Sequence, residues 1–409
     1  MKNQRTVHII NLLVLLLILL VGCGGPEADT MADNVPGADE SVSLVPEGAG
    51  GADGEEIAQD QGDFAQKITE FVEGRMMADG LPGAAVAVVR GDAVVFAEGF
   101  GFRDVEKQLP VTPETLFHIG STNKSMTAMM MATLVDQGLF DWDTPVVEID
   151  PDFALSSAEA TEAVTIRHLL SMQSGIPDDA EDDFDVDDAA GEDLFAYVKT
   201  VPLLGMPGEQ FSYSNISASL AGYLGVMAAG EDAPDLYTGY ARLLRRQVFD
   251  PIGMSAAVVH VSDAETNPNY GKSYVIKAGN AVAAEREDFD GDPLAPSGTV
   301  KANVMDMAAY VSTQLHRGQA PNGTRVVSEE NLRETWKPDL ENYAMGWEIS
   351  EHEGHEVIWH DGAYDNYVSV IGFVPDLNMG FVILANSEEA GEGLIAEGPA
   401  FLIDLVMDS

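Results

Sequence analysis

Segments with the pattern of β-strands lie at the two ends of this 409-residue sequence, and the part between them has a mostly helical pattern. Near the start, "GAAVAVVRGDAVVFAEGFGFRD" contains two β-rich runs separated by "RGD", which is typical of a hairpin. Near the end, four short runs predict strands: "YAMGWEIS", "HEVIWHDG", "YVSVIGFVP" and "GFVILANS". The sequence therefore predicts an α/β (α+β) fold, with an antiparallel sheet built from both chain ends, flanking helices and an inserted, mostly helical lobe at about 118–340.

The N-terminal segment has the pattern of an export signal. Lys2 and Arg5 precede an apolar run at 9–21, which is too short to favour a spanning helix over a signal peptide. The run ends in "LVGCGG", which resembles the lipobox of bacterial lipoproteins and marks Cys23, the only cysteine of the chain, as the lipidated residue. Residues 1–22 are therefore predicted to be a lipoprotein signal peptide.

A tether and a single large domain are predicted to follow this signal. Residues 23–62 are rich in Gly, Ala, Pro, Asp and Glu, with few large apolar side chains, which predicts an acidic disordered tether. The domain is predicted to occupy residues 63–409. The lipid would anchor the exported protein to a bacterial membrane, with the domain in the periplasm or outside the cell.

Three short segments carry the residue types of nucleophilic catalysis. "GSTNKSMTAMMMATLVDQG" predicts an amphipathic helix that begins near Ser121, with Lys124 one turn along on the same face. "FSYSNIS" places Tyr213 and Asn215 on a loop before another helix, and "WHDG" places His360 in a predicted strand. Taken one at a time, these are ordinary helix-cap, loop and turn residues. A cleft between the sheet and the helical lobe would bring them together.

Taken together, these segments resemble the three motifs of the serine β-lactamase and penicillin-binding-protein superfamily. The motifs are S-x-x-K (Ser121, Lys124), Y-x-N (Tyr213, Asn215) and H-x-G (His360, Gly362). Further phrases occur in the family's order: "HLLSMQSGIP", "PGEQFSYSN", "PIGM", "MGW" and "GFVPDLNMGFVILAN". The likeness is closest to class C β-lactamases and to related D,D-peptidases, D-aminopeptidases and esterases, and it extends over residues 64–407.

The first two motifs supply a nucleophile and its proton acceptor. A serine hydroxyl is a weak nucleophile at neutral pH, so a base must accept the proton of Ser121 as it attacks a carbonyl carbon. Burial and the helix N-terminus would both lower the pKa of Lys124 towards that of a usable base. Tyr213 is the other proton-transfer candidate, and the sequence leaves both open. Asn215 is expected to hold Lys124 and to hydrogen-bond a substrate amide.

The strand motif is expected to complete the catalytic site. The resemblance implies an oxyanion hole formed by the backbone NH groups of Ser121 and Ala363. Gly362 would permit close approach of the substrate to the strand. His360 stands where typical class C β-lactamases have a lysine, and histidine also occurs at this position in family peptidases and esterases.

Two further residues are expected to contact the substrate, and they differ from the usual pattern. Asp361 stands where threonine or serine is usual and would repel a substrate carboxylate. Asn386 in "LANS" resembles a carboxylate-contacting position, although no Arg or Lys follows nearby. These departures argue against efficient β-lactam hydrolysis.

The predicted function is that of a lipid-anchored serine hydrolase. It would cleave a small ester, an amide or a D-amino-acid peptide through an acyl-enzyme on Ser121. The alternatives are a class C-like β-lactamase and a non-catalytic member of the family that binds cell-wall fragments or another partner in the same cleft.

Composition and motif spacing weigh against other partners. The formal net charge of -47, from 21 basic and 68 acidic residues, argues against nucleic acid. The acidic insert at 178–193 lacks the glycine of an EF-hand loop, so a solvated loop is expected. His352, His355 and His360 lie near glutamates but form no HExxH helix motif, which favours a polar hairpin tip. No metal and no cofactor are predicted.

Overall fold

An antiparallel sheet joins early and late parts of the chain in this computed structural model, which describes residues 52–409 and their side chains from residue 62 onward. The strands of the described part are β1 (Gly83–Arg90), β2 (Ala93–Asp104), β3 (Leu109–Pro110), β4 (Phe117–His118), β5 (Tyr274–Lys277), β6 (Asn280–Ala283), β7 (Lys301–Ala302), β8 (Glu348–His352), β9 (His355–Tyr364), β10 (Tyr367–Val374) and β11 (Met379–Ala385). Seven of them form the main sheet in the order β3-β2-β1-β11-β10-β9-β8, and β4 with β7 and β5 with β6 form two small ladders. Because β1 pairs with β11, with Ala84 opposite Ala385, the sheet is built from both chain ends as predicted.

Most helices of the described part lie between β4 and β8 and form the predicted inserted lobe. The helices are α1 (Ala52–Asp79), α2 (Asn123–Asp136), α3 (Val146–Ile149), α4 (Ala158–Ala163), α5 (Ile166–Leu170), α6 (Gly191–Tyr197), α7 (Asn215–Ala228), α8 (Leu236–Leu244), α9 (Asp250–Ile252), α10 (Val261–Glu265), α11 (Ala295–Gly298), α12 (Val304–Leu315), α13 (Glu329–Glu334) and α14 (Glu388–Met407). Two 3-10 turns, Gly120–Thr122 and Asp178–Asp183, and a π-helical turn, Arg245–Phe249, complete the lobe.

Helices cover both faces of the sheet, which explains why its central strands are apolar without alternation. On β1, Val86 and Val88 pack into a cluster with apolar side chains of α1 and α14. Their neighbours Ala85 and Ala87 point to the opposite face and belong to the large cluster of the inserted lobe. The sheet therefore separates two apolar layers.

Helix α2 is buried on all sides, so the prediction of an amphipathic helix is wrong. Every side chain from Asn123 to Leu134 is buried. Its polar side chains find partners inside the lobe: Asn123 Nδ2 donates to the Ala295 carbonyl oxygen at 2.9 Å, and Thr127 Oγ1 donates to the Pro296 carbonyl oxygen at 2.7 Å. Because such bonds satisfy buried polar groups, a helix with Asn and Thr can lie in the interior.

The start of the ordered domain differs from the prediction. Helix α1 begins at Ala52, whereas the sequence predicted a disordered tether up to residue 62. Alanine, glutamate and glutamine are frequent in its first turns and are good helix formers. The signal segment, Cys23 and the rest of the predicted tether lie outside the described residues. No helix in residues 52–409 has the length and apolar content needed to cross a bilayer.

Candidate active site

Ser121 lies in the 3-10 turn immediately before α2, and strand β9 packs directly against this turn. Gly120 has φ of +51°, and a Cβ there would lie 2.5 Å from the Ala363 nitrogen. A Cβ on Gly362 would lie 2.3 Å from the Ile119 carbonyl oxygen and 2.6 Å from the Ser121 nitrogen. Only glycine fits two backbones this close. The structure thus brings Gly362 and Ala363 beside Ser121.

Strand β9 presents an open edge at this point. Strand β8 pairs with residues His355 to Trp359 of β9 and stops there. On its other side β9 pairs with β10 through Tyr364. Within the described residues, the part of β9 beyond Trp359 therefore has a strand neighbour on one side only. An extended substrate segment can lie along such an edge.

Lys124 is held at the nucleophile by three oxygen atoms. Its Nζ donates to Ser121 Oγ at 2.9 Å, to Asn215 Oδ1 at 2.6 Å and to the Ser297 carbonyl oxygen at 3.1 Å. The lysine is only 1% exposed. This burial lowers its pKa to about 7, although the carboxylates of Glu181 and Asp361 favour the charged form. A substantial fraction of Lys124 is therefore neutral near neutral pH.

Tyr213 lies beside the same pair but keeps its proton. Its ring centre is 4.8 Å from the Nζ of Lys124. Desolvation raises the pKa of Tyr213 well above its usual range, and a hydrogen bond with Ser121 opposes this rise. Between the two proton-transfer candidates, the pKa values favour Lys124 as acceptor and Tyr213 as hydrogen-bond donor at neutral pH.

His360 is a buried, neutral part of the site. It is 1% exposed, and burial lowers its pKa to about 3, with a further contribution from the charge of Lys124. Its Nδ1 hydrogen-bonds the Asp361 carbonyl oxygen, which can only accept, so the ring carries its proton on Nδ1. Nε2 then accepts from the Tyr343 hydroxyl at 3.1 Å. Unlike a lysine at this position, His360 adds no positive charge.

The two predicted substrate-contacting residues lie in different places. The Asp361 side chain is 43% exposed, and its carboxylate acts electrostatically on Lys124 and Tyr213. Partial burial raises the pKa of Asp361, and Lys124 opposes this rise. Asn386 is 0% exposed, and its Nδ2 donates to the Phe102 carbonyl oxygen at 3.0 Å. The structure does not bring Asn386 to the nucleophile, because its amide is used inside the sheet and β10 lies between its strand and β9.

Sequence reasoning missed two residues of the site. Glu181 comes from the acidic insert that was expected to be a solvated loop, and it accepts from Asn215 Nδ2 at 2.9 Å and 3.2 Å. Tyr343 holds His360 and packs edge-on against Tyr213. Tyr343 lies just before the "MGW" phrase, which had marked this segment as part of the family pattern. No sequence signal distinguished Glu181 from its acidic neighbours.

One group of side chains in the described residues has the composition of a metal site. Ligand atoms of His118, Asp288 and Asp365 lie within 4.8 Å of one another. However, Lys301 Nζ lies 3.4 Å from Asp288 Oδ2, and Arg286 Nε lies 3.4 Å from Asp288 Oδ1. Because two cations already pair with Asp288, the group is better described as part of an ion-pair network.

Two histidines of the predicted polar hairpin tip, His352 and His355, each pair with a different aspartate. His352 and His355 face each other across the β8–β9 hairpin. His352 pairs with Asp404 at 2.6 Å, and His355 pairs with Asp376 at 2.7 Å. The expectation of a polar hairpin tip is therefore met at these two residues.

A serine and a lysine one turn apart, a tyrosine beside them and a strand backbone packed against the nucleophile turn define the class of serine hydrolases with an S-x-x-K nucleophile. The family model described as Beta-lactamase matches residues 64–400. The chain belongs to this family, which is of the serine hydrolase type.

Relatives and solved structures agree with this assignment. The unguisins hydrolase ungD' of Aspergillus campestris (strain IBT 28561) is 29% identical over 86% of this chain and 67% of its own length. Protein flp of Staphylococcus aureus (strain N315) is 27% identical over 79% of this chain and 63% of its own length, so the chain spans less than two thirds of that relative. The octameric penicillin-binding protein homologue from Pyrococcus abyssi superposes with a TM-score of 0.70 at 25% identity, covering 83% of this chain and 77% of that one. A structure of SurE, 22% identical with a TM-score of 0.68 and covering 84% and 77% of the two chains, shares the fold.

Proposed function

We propose that this protein cleaves an ester or amide bond through an acyl-enzyme on Ser121. The observation that carries the proposal is the 2.9 Å contact between Lys124 Nζ and Ser121 Oγ, with the pKa of the lysine lowered to about 7 by burial. A neutral amine at this distance is a general base for the hydroxyl.

The reaction follows from the placement of these groups. As Ser121 Oγ bonds to the carbonyl carbon, its proton moves to Lys124 Nζ. The resulting oxyanion accepts hydrogen bonds from the backbone NH groups of Ser121 and Ala363. The bond to the leaving alcohol or amine then breaks, and the leaving group takes a proton, with the Tyr213 hydroxyl placed to pass it on. Water repeats the sequence on the acyl-enzyme, which releases the acid and restores the serine.

The substrate class in this proposal is a small neutral ester or a D-amino-acid peptide. Asp361 supports the neutral ester within this class, because a carboxylate near Lys124 and Tyr213 disfavours a substrate whose own carboxylate lies close to the reacting bond. The hydrolase among the relatives supports bond cleavage over mere binding. If the protein were instead a class C-like β-lactamase, it would hydrolyse penicillins efficiently. A non-catalytic binding protein would hydrolyse neither esters nor penicillins.

Replacing Asp361 with threonine tests this charge selectivity. The change removes the repulsion and adds a hydroxyl donor. Well above pH 7, where Lys124 is neutral with or without Asp361, kcat/KM for a carboxylate-bearing penicillin is expected to rise about tenfold, while that for a neutral chromogenic ester changes little. A charge-assisted contact is typically worth about 1.5–3 kcal/mol, and the 43% exposure of Asp361 calls for the lower end of the range. Both rates should be measured at two salt concentrations, since salt screens the repulsion.

The matched variant Asp361→Asn separates charge from hydrogen bonding. It removes the negative charge without supplying a hydroxyl, so it should reproduce the salt-sensitive part of the gain. Equal gains for the neutral and the anionic substrate, or vigorous cephalosporin hydrolysis by the unmodified protein, would contradict a role of Asp361 in charge selectivity.

The proposal also includes a lipid anchor at Cys23, which rests on the "LVGC" motif alone. Cys23→Ser is expected to abolish acylation and to move the protein from the membrane fraction to the soluble or precursor fraction. Fractionation of cells that express each form measures this shift. Unchanged membrane partition of the variant would refute the anchor and leave the proposed chemistry untouched.

A further inference from the structure

Glu181 is a carboxylate of the acidic insert that hydrogen-bonds Asn215 of the candidate active site. Its 3-10 turn, Asp178–Asp183, is fixed by the buried Ala180, whose carbonyl oxygen accepts from the Tyr197 hydroxyl at 2.6 Å. The acidic neighbours of Glu181 in this turn are exposed: Asp178, Asp179, Asp182 and Asp183. Glu181 instead turns inward and is half-buried.

Glu181 and Lys124 bind opposite ends of the same amide. Asn215 Nδ2 donates to both carboxylate oxygens of Glu181, at 2.9 Å and 3.2 Å. Asn215 Oδ1 accepts from Lys124 Nζ at 2.6 Å. Because a carboxylate only accepts hydrogen bonds, Glu181 fixes which end of the amide faces the lysine. In the flipped orientation, the amide NH2 would face the lysine instead.

The charges around Lys124 show what Glu181 contributes. Glu181 and Asp361 are the two carboxylates that raise the pKa of Lys124 against the effect of burial. His360 faces the lysine as a neutral ring, and Tyr213 as a protonated phenol. Burial raises the pKa of Glu181, and the charges of Asp182 and Asp292 add to this rise, whereas the hydrogen bond from Asn215 and the charge of Lys124 oppose it.

We propose that Glu181 is a positioning residue that holds the Asn215 amide in the orientation needed by Lys124 and places a negative charge beside that lysine. The expected effect of Glu181 on catalysis rests on the proposed function, in which Lys124 is the general base. The proposal gives a function to one residue of the acidic insert, which was expected from the sequence to be a solvated loop.

Glu181→Gln tests the electrostatic part. The variant keeps an acceptor for Asn215 and removes the charge, so the ammonium form of Lys124 loses a stabilising neighbour and its pKa falls. The titration midpoint of Lys124, followed by NMR in protein labelled with [ε-13C]lysine and assigned through Lys124→Met, is expected to move down by about one pH unit. The acidic limb of the pH profile of kcat/KM should move in the same direction.

Two further variants make the result specific. Asp185→Asn makes the same charge change at an exposed position of the same insert and should leave the Lys124 midpoint in place. Glu181→Ala removes the acceptor as well, frees the Asn215 amide to rotate, and should lower kcat by about tenfold or more while Glu181→Gln retains most of it at high pH.

The two readouts separate failure of this inference from failure of the proposed function. An unmoved Lys124 midpoint in Glu181→Gln, or an equal movement in Asp185→Asn, would overturn the role of Glu181 whatever the activity. A midpoint that moves in a protein without hydrolytic turnover would support the role of Glu181 in setting the lysine and would count against the proposed hydrolase.

Discussion

Ser121→Ala is expected to lower kcat/KM for a neutral chromogenic ester by about 10⁴-fold or more. The variant removes the atom that would form the acyl bond, and the remaining oxyanion donors and binding contacts give only a small residual rate. Initial rates at saturating and limiting ester concentrations measure the loss. The fold should persist, since the small Ser121 side chain contributes hydrogen bonds with Lys124 and Tyr213 and belongs to no apolar cluster.

The control for this loss is a serine that is remote from the site. Ser350 is exposed on strand β8, and Ser350→Ala should retain the activity of the unmodified protein. Circular dichroism and thermal unfolding of both variants exclude misfolding as the cause. A Ser121→Ala protein that keeps more than a few per cent of the activity would mean that another group attacks the carbonyl carbon.

Lys124→Met is expected to lower kcat/KM by about 10²- to 10⁴-fold, which is the range for removal of a general base. Methionine has a similar length and leaves the buried site without an amine. In the unmodified protein kcat/KM should rise as pH increases through about 7, because burial lowers the pKa of Lys124 to that value and only the neutral amine accepts a proton. This rise should be absent from the Lys124→Met profile.

Tyr213→Phe decides between the two proton acceptors that the sequence left open. The variant keeps the ring against Tyr343 and removes only the hydroxyl. Because the pKa of Tyr213 is raised well above its usual range, loss of this hydroxyl should cost less than loss of the Lys124 amine. A larger loss in Tyr213→Phe, with the rise near pH 7 intact in Lys124→Met, would make the tyrosine the base.

The parts of the site that the sequence predicted are those set by local geometry. Ser121 and Lys124 are three residues apart at the start of a helix, and this spacing alone places both side chains on one face. The strand motif was predicted from its resemblance to the family's H-x-G motif, and Gly362 lies in strand β9 as expected. Gly362 was expected to admit the substrate, whereas in the structure its missing side chain admits the backbone of the nucleophile turn. The sheet from both chain ends followed from the placement of strand-like runs, which does not depend on any single contact.

The parts that were missed depend on contacts between distant segments. Glu181 and Asn215 are 34 positions apart, and nothing in a run of acidic residues tells which of them turns inward. Asn386 follows a buried strand, and the sequence did not show that its amide would be taken up by the Phe102 carbonyl oxygen of β2. Helix α2 was predicted to be amphipathic, but its polar residues Asn123 and Thr127 donate to carbonyl oxygens of a segment 172 and 169 positions away, inside the lobe.

The location of a covalent phosphonyl adduct, formed when the nucleophile displaces fluoride from a fluorophosphonate, tests the central claim most directly. The unmodified protein is reacted with a fluorophosphonate, its intact mass is measured, and the modified peptide is identified by tandem mass spectrometry. We expect one adduct per chain, located on Ser121 and reduced strongly in Lys124→Met. An adduct on a different serine, or no adduct under conditions in which the ester is still hydrolysed, would contradict an acyl-enzyme on Ser121.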